Sequence, residues 1–262
     1  MKQPVFNTFI LLSMLLSNMS GYALNNYYFN IISRDKGLSQ TNVKAIIQDS
    51  NGFMWFGTRN KLNRYDGNTF KVFDCYDHVA QKQNNNISSL FEDKEKQLWV
   101  GTDNGVFRLN PQTGKFTYYT QMPEFNRYRG ISTIMSMMQH SVTEHVWIAA
   151  YDGGVYEVNK KAPVAQRVKN YYAQDVPWLA GSCVFHIYED SKHNLWFATR
   201  NGVSMRTVNG EAVRLDTLQV GSNQMRNIPA MYLTEGNDGD MWVASNTHGV
   251  FRLHCDEKGS YT

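Results

Sequence analysis

Cysteine is scarce in this chain of 262 residues. The sequence contains three, Cys75, Cys183 and Cys255, and no two of them have Cys-x-x-Cys spacing. An odd number without that spacing indicates neither a zinc site nor a framework of disulfides. At most one pair can form, and the simpler interpretation is that these residues are small buried hydrophobes or incidental loop residues.

The short motifs of common catalytic sites are also missing. There is no His-Glu-x-x-His, no Gly-x-Ser-x-Gly and no Gly-x-x-x-x-Gly-Lys-Ser/Thr. The seven histidines are dispersed, without a pair at metal-ligand spacing within one strand: His78, His140, His145, His186, His193, His248 and His254. We therefore predict no catalytic residue, no intrinsic metal and no cofactor.

Charge of one sign is not in excess. The chain has 26 Lys and Arg against 23 Asp and Glu, a net charge of +3, and these residues are scattered through the sequence. A nucleic acid partner is therefore not expected. Aromatic residues, at 13% of the total, favour strands and interaction surfaces over a helical bundle.

Long hydrophobic runs are absent after the first two dozen residues. Lys2 precedes a short apolar run at residues 9–16, and Gly21 and Ala23 are small residues that suit a cleavage site. The run is shorter than the roughly 20 residues of a spanning helix. Residues 1–23 are therefore predicted to be a signal peptide rather than a membrane anchor, which places the protein in the periplasm or outside the cell.

A repeat of 44 to 49 residues occupies the remainder of the chain. It is centred on five tryptophans, each followed two residues later by Gly or Ala: Trp55, Trp99, Trp147, Trp196 and Trp242. A sixth, Trp178, lies outside the series. A period of this length is typical of propellers and other repeat arrays.

Further positions recur around each tryptophan. Six residues upstream stand Asp49, Asp93 and Asp190, with Ser141 and Gly236 as departures. Downstream stand Gly105, Gly154, Gly202 and Gly249, with Lys61 as the departure. Before the aspartate position lies a strand-like run, predicted at residues 43–48, 87–92, 131–137, 184–189 and 228–233.

These positions predict four short strands per repeat. Asp and Gly suit the turn after the first strand, and the small residue after Trp lets neighbouring sheets approach closely. Residues 24–262 are therefore predicted to form an all-β propeller of about five four-stranded antiparallel blades. Apolar spacing does not fit helical repeats, the period does not fit leucine-rich repeats, and the Trp-Asp dipeptide of WD propellers is absent.

The first repeat, residues 37–67, resembles the opening of the two-component regulator propeller, the periplasmic sensor region of hybrid two-component histidine kinases common in Bacteroidetes. The resemblance extends over nearly all of residues 28–262. It implies a longer protein with two rings of about seven blades, a membrane helix and kinase modules. Those later parts are not in this sequence, so the resemblance implies neither kinase activity nor membrane contact here. It leaves open a closed five-bladed ring or part of a seven-bladed one.

Candidate ligand-binding residues follow the tryptophan-bearing strands, because propellers bring these loops to one end. The residues are Arg59, Asn60, Asp103, Asn104, Tyr151, Asp152, Arg200, Asn201, Asn246 and His248. Their amide, charged and aromatic groups suit a hydroxyl-rich ligand such as an oligosaccharide. The alternative is that Asn and Asp serve only the turns. The loops at 127–130 and 171–178 interrupt the repeat, as rim packing or as a binding patch.

Three functions are compatible with these patterns. The first is a periplasmic ligand-sensing propeller for oligosaccharides, for which the resemblance implies a homodimer in a full-length receptor. The second is a secreted glycosidase or lyase, which requires two carboxylates in different environments. Asp49, Asp93 and Asp190 do not meet that requirement, since each precedes the same turn, at the opposite end from the candidate loops. The third is a non-catalytic protein-interaction scaffold.

Overall fold

The computed structural model describes residues 29–121, 132–256 and 261. The predicted signal peptide at 1–23 and the insert at 127–130 lie outside these residues. All the strands belong to one compact unit, Ser33–Thr262. None of the helices in the described ranges has the length and apolar character needed to cross a membrane.

Five antiparallel sheets follow one another along the chain, four with four strands and the last with three. The first sheet contains β1 (Val43–Gln48), β2 (Met54–Thr58), β3 (Leu62–Tyr65) and β4 (Phe70–Phe73). A small hairpin follows, made of β5 (Tyr76–Asp77) and β6 (Lys82–Gln83). The second sheet contains β7 (Ile87–Glu92), β8 (Leu98–Thr102), β9 (Gly105–Asn110) and β10 (Lys115–Tyr118).

The same order continues to the last sheet. The third contains β11 (Ile134–Gln139), β12 (Val146–Ala150), β13 (Gly154–Val158) and β14 (Val168–Tyr171), and the fourth contains β15 (Val184–Glu189), β16 (Leu195–Thr199), β17 (Gly202–Arg206) and β18 (Ala212–Arg214). A second hairpin pairs β19 (Gln219–Val220) with β20 (Asn223–Gln224), and the fifth sheet contains β21 (Ala230–Glu235), β22 (Met241–Ser245) and β23 (Gly249–Leu253). Four single-turn 3-10 helices lie at Arg34–Lys36, Tyr119–Gln121, Val164–Gln166 and Met225–Asn227.

The predicted all-β blades are confirmed, with two corrections to the first strands. The third sheet begins at Ile134 rather than at residue 131 and its first strand continues to Gln139, because Met138 and Gln139 still pair with Trp147 and Val146 of β12. The fifth begins at Ala230 rather than at residue 228, because Pro229 has no N–H to donate to a ladder. The fifth sheet has three strands within the described residues, not four.

The hydrophobic core lies between successive sheets. Each of the first four repeat tryptophans packs in a cluster with the first strand of the next sheet: Trp55 with Ile87, Trp99 with Ile134, Trp147 with Val184, and Trp196 with Ala230. These four indoles are buried, whereas Trp242 on the last sheet is 38% exposed. The core is therefore built interface by interface.

The small residue after each tryptophan allows this close approach. A Cβ on Gly57 would lie 2.5 Å from Ile87 Cγ2, and one on Gly101 would lie 2.7 Å from Ile134 Cγ2. Both isoleucines belong to the next sheet, and at Gly101 the Cβ would also clash with Ser89 Oγ of its own sheet. The predicted role of the small residue is confirmed.

The inner strands contact each other in chain order: β1 with β7, β7 with β11, β11 with β15, and β15 with β21. Within the described part of the chain, no comparable contact joins β21 back to β1. The alternative of a closed five-bladed ring is therefore not what the structure has.

Candidate functional site

The end of each sheet that carries the turn after its first strand, here called the turn end, uses aspartate in a structural role. Asp49 Oδ1 accepts the backbone N–H groups of Asn51 and Phe53, both at 2.9 Å, and its Oδ2 accepts the indole N–H of Trp55 at 2.8 Å. One carboxylate therefore closes the turn and orients the tryptophan that fills the interface.

The second and fourth sheets repeat this arrangement. Asp93 and Asp190 accept the indole N–H of Trp99 and Trp196, each at 2.8 Å. Burial alone would raise the pKa of Asp93, but hydrogen bonds from Trp99 and the Gln97 backbone, together with Lys160, hold that pKa below its ordinary value. The prediction that these aspartates share one structural role is confirmed.

The third sheet departs from the repeat at His140, not at Ser141 as the sequence alignment predicted. His140 directly follows β11, and its N–H donates to His145 O, as Asp49 N–H donates to Phe53 O. The turn contains one more residue than that of the first sheet, which displaced the alignment. His140 is buried, and the indole N–H of Trp147 has no hydrogen-bond partner among the described residues.

A second recurrent contact at the turn end joins neighbouring sheets, and we call it the inter-sheet clamp. The last residue of each first strand accepts the backbone N–H of the residue after the turn aspartate, or its equivalent, in the preceding sheet. The pairs are Glu92 with Ser50 (2.7 Å), Gln139 with Lys94 (2.8 Å), Glu189 with Ser141 (2.9 Å) and Glu235 with Ser191 (2.7 Å). The three serine hydroxyls donate to the same carboxylates.

The opposite end of the sheets, here called the loop end, carries all ten candidate binding residues, and every one of them is exposed. The residue that follows the second strand bonds to the carbonyl just before the first strand of the same sheet. These bonds are Arg59 to Asn42, Asp103 to Asn86, Tyr151 to Thr133 and Arg200 to Cys183, at 2.9 to 3.2 Å. The loop end is therefore made of two segments per sheet, of which the sequence prediction named one.

Threonines hold the tight turns of the loop end. The Oγ1 atoms of Thr58, Thr102 and Thr199 each accept an N–H two residues on, from Asn60, Asn104 and Asn201. They also donate to the carbonyl three residues on. The turn geometry is thus set by threonine rather than by the asparagine side chains.

The first and second sheets share a polar network at the loop end. Asp103 accepts the side-chain amides of Asn84 and Asn86, both at 2.7 Å, and Lys44 Nζ donates to Asn86 Oδ1 at 3.1 Å. Sequence reasoning missed Lys44, Asn84 and Asn86. The signal was available, because antiparallel pairing brings the start of a first strand beside the end of the second.

An aromatic and cationic group joins the third and fourth sheets. Arg200 donates to Tyr151 OH at 2.5 Å and lies 5.4 Å from the centre of its ring, and Phe185 packs edge-on against Tyr151 at 6.0 Å. Asp152 Oδ1 accepts a long contact from Cys183 Sγ at 3.7 Å. Tyr151 and Arg200 were predicted residues, whereas Phe185 and Cys183 were not.

The remaining candidates lie at the same end without entering either group. Arg59 and Asn60 lie on the first sheet, Asn104 on the second, Asn201 on the fourth, and Asn246 and His248 on the fifth. His248 Nδ1 lies 2.7 Å from Thr247 Oγ1, its neighbour in the chain. These residues remain predictions.

The loop that carries Trp178 packs against the blades. The Trp178 ring lies 5.3 Å from that of Tyr171 and 5.5 Å from that of Phe197, measured between centroids. Of the two roles considered for this loop, rim packing is the one observed. The cysteines of the described structure are unpaired, and Cys75 is buried in the first interface, where burial raises the pKa of its thiol.

Sequence comparison identifies the repeat. The two component regulator propeller family matches residues 37–60, 81–104 and 179–201. A histidine kinase of Formosa agariphila is 45% identical over 49 residues, which make up 19% of this chain and 4% of that protein.

Structure comparison agrees on the fold. The extracellular domain of a hybrid two component system of B. thetaiotaomicron superposes with a TM-score of 0.70 at 19% identity, over 89% of this chain and 31% of that one. This chain thus spans about a third of that relative. The virginiamycin B lyase of Staphylococcus aureus superposes with a TM-score of 0.60 at 16% identity, over 86% and 70% of the two chains. At these identities the likeness shows the fold alone.

Proposed function

We propose that this chain, whose repeats match the two component regulator propeller, is a ligand-binding sensor propeller that works outside the cytoplasm and takes an oligosaccharide at its loop end. The match to the repeat and the extracellular domain among its structural relatives support the sensor role and the location. Export by the predicted signal peptide at residues 1–23 belongs to the same proposal.

One observation carries the proposed ligand class. At the loop end, side chains from adjacent sheets meet in two groups, Lys44–Asn86–Asp103 across the first interface and Tyr151–Arg200 across the third, and all but the half-buried Asn86 are exposed. Amide, carboxylate, ammonium and guanidinium groups supply both donors and acceptors for sugar hydroxyls. The exposed tyrosine ring adds an apolar face with a polar tip, which suits a ring-shaped hydroxylated ligand.

The second candidate is a protein-interaction scaffold that uses the same end. Two cavities in the described structure lie near the turn end, lined in part by His140 and His145. A protein partner needs exposed groups at the loop end rather than a deep cavity there. The two candidates therefore differ in the ligand, not in the surface.

Binding of a panel of plant and host oligosaccharides tests the proposal by thermal melting and calorimetry on the full chain. We expect one glycan class to raise the melting temperature, and Arg200→Ala and Asp103→Ala to weaken its binding about tenfold or more through lost charged hydrogen bonds. Lys115→Ala, an exposed change on β10, is the matched control and leaves binding intact. Absence of any glycan effect, or binding that survives both loop-end changes, contradicts the proposal.

A further inference from the structure

The third sheet is missing the carboxylate that its sister sheets place under their tryptophans. In the first, second and fourth sheets, the indole N–H donates to aspartate Oδ2 at 2.8 Å. Trp147 is just 3% exposed, yet its Nε1 has no acceptor among the described residues. A buried donor of this kind needs a partner, because leaving it without one opposes folding.

His140, which replaces the aspartate, is already engaged at both ring nitrogens. Its Nε2 lies 2.9 Å from the carbonyl oxygen of His193, which can only accept, so Nε2 carries the proton. Its Nδ1 then accepts, from the Thr143 N–H at 3.2 Å and from Thr143 Oγ1 at 2.8 Å. His140 therefore holds the turn but has no acceptor left for Trp147.

A half-open cavity of about 40 Å³ adjoins the indole, lined among others by His140, Thr143, Trp147, Arg206 and Thr207. Thr207 Oγ1 is a second buried polar atom without a hydrogen-bond partner in the described part of the chain. The cavity volume exceeds the ~10–15 Å³ that one water molecule needs. It therefore suits a group of a few heavy atoms.

The cavity wall carries one cation and one carboxylate, Arg206 and Glu157, with Arg206 Nη1 3.7 Å from Glu157 Oε2 and donating to Tyr171 OH at 2.8 Å. The Arg206 guanidinium lies 5.5 Å from the centre of the Trp147 ring. Glu157 also lines the cavity, but its Oε2 accepts from Tyr171 OH at 2.6 Å and its Oε1 lies 2.6 Å from His145 Nδ1. The acidic group is thus held by its own partners and does not serve Trp147.

We propose that this cavity binds a small carboxylate, which accepts from Trp147 Nε1 as aspartate does in the sister sheets. Thr207 Oγ1 donates to the same guest, and the Arg206 guanidinium, whose charge Glu157 already balances, offers further N–H donors rather than net charge. The guest is acetate-sized, either as a free acid or as the terminal carboxylate of a larger one. The site lies at the turn end and is separate from the oligosaccharide site proposed at the loop end.

Acetate titration of the full chain, followed by the indole N–H signals in ¹⁵N NMR, tests the proposal. We expect the Trp147 signal to move saturably, while the signals of Trp99 and Trp196, which already donate to aspartates, stay in place. Trp147→Phe assigns the signal. An unmoved Trp147 signal, or an equal effect of chloride or of the neutral isostere acetamide, overturns the proposal. The same titration with lactate and with succinate then shows whether the site takes only a free small acid or also the terminal carboxylate of a larger one.

Two variants separate binding from folding. His140→Asp supplies a carboxylate from the chain itself and should abolish the acetate response. Thr207→Val keeps the shape of the wall, removes one donor and should weaken acetate by about threefold or more. An acetate response that persists at full strength in both variants contradicts the site.

Discussion

Lys61 has a φ of 82°, in the region that favours glycine. The four equivalent positions of the other sheets are glycines with φ between 71° and 112°. A side chain in this conformation costs roughly 1–2 kcal/mol. The departure that the sequence showed at Lys61 is therefore a local strain and not a missing turn.

Lys61→Gly should raise the free energy of unfolding by about 1 kcal/mol, because glycine adopts the left-handed conformation without a steric penalty. The ion pair of Lys61 with Asp74, at 3.2 Å, is exposed and contributes little. Lys61→Ala is the matched control, since it removes the same ion pair and keeps the strain. Chemical denaturation measures both, and equal stabilities of the two variants would contradict the strain.

His186 predicts a pH dependence. Its ring stacks on Tyr232 at 3.9 Å, Leu233 N–H donates to its Nδ1 at 3.3 Å, and burial lowers its pKa from 6.5 to about 4. Both states are neutral above pH 6.5, whereas between pH 6.5 and 4 the unfolded chain takes up a proton that the folded chain does not. Stability should therefore fall by roughly 3 kcal/mol across that window as the pH drops.

Thermal melts from pH 7 to pH 4 measure this loss. His186→Asn keeps an acceptor for Leu233 N–H but cannot titrate, so its melting temperature should change much less over the same window. His78→Asn, at an exposed histidine, is the control and should melt like the parent. If the melting temperature of His186→Asn still declines steeply, the pH dependence belongs to other groups.

The candidate site was predictable only in part at this scale. The loop after each tryptophan strand was visible in the repeat, so Asp103, Tyr151 and Arg200 were found. Lys44 and Asn86 were missed because they lie at the start of the first strand β1 and directly before the first strand β7, and a search confined to the loop after each tryptophan strand does not join segments distant in the sequence. The orphaned Trp147 was hidden because its turn has one extra residue, which moved the apparent departure from His140 to Ser141.

At the scale of elements, the inter-sheet clamp holds each first strand to the turn before it. Glu235 accepts both the N–H and the hydroxyl of Ser191, at 2.7 and 2.8 Å, and so attaches the fifth sheet to the fourth. The backbone bond recurs at the other three interfaces, and the hydroxyl bond recurs at the two others that carry serine. Its recurrence indicates that the clamp sets the registration of neighbouring sheets.

Glu235→Ala should loosen the fifth sheet selectively. Loss of a carboxylate that accepts two hydrogen bonds costs about 1–3 kcal/mol, and we expect faster amide hydrogen exchange in β21–β23 with β7–β9 unchanged. Glu235→Gln keeps an acceptor and should restore most of the protection. Uniform acceleration in all sheets would show that the clamp does not act locally.

Strand positions were predictable where the repeat was regular. β1, β7 and β15 match the predicted runs residue for residue, because an acidic turn residue follows each of them directly. β11 and β21 were misplaced, since Met138 and Gln139 continue the ladder past the predicted end of β11 and Pro229 cannot donate to that of β21. Such local deviations leave no trace in the periodic pattern of the sequence, so the repeat does not predict them.

At the scale of the whole molecule, the sheets form an open series in the described residues. On the fifth sheet, Tyr232 is 55% exposed and Val250 is 62% exposed, beside the partly exposed Trp242. Equivalent surfaces on the other sheets are covered by the sheet that follows. Contiguous apolar surface of this kind promotes association.

Light scattering of the chain should therefore show a mass that rises with concentration. Tyr232→Lys combined with Val250→Glu should lower that mass, because both changes place charge on the exposed face. Val79→Glu, on an isolated exposed valine of the β5–β6 hairpin, is the matched control and should have no effect. A concentration-independent monomer mass for the parent chain would contradict the prediction.

The inter-sheet clamp also bears on how such a chain can change its number of repeats. Each clamp joins the same two positions of neighbouring repeats, and the side chain of either Glu or Gln accepts the backbone N–H. A gene duplication or deletion of one whole repeat places the acceptor side chain of one repeat beside the donor N–H of its new neighbour. Loss of the second repeat, for instance, would place the Gln139 side chain beside the Ser50 N–H. Recombination within a repeat leaves half of a clamp. Repeat number can therefore vary during evolution without a change in this contact.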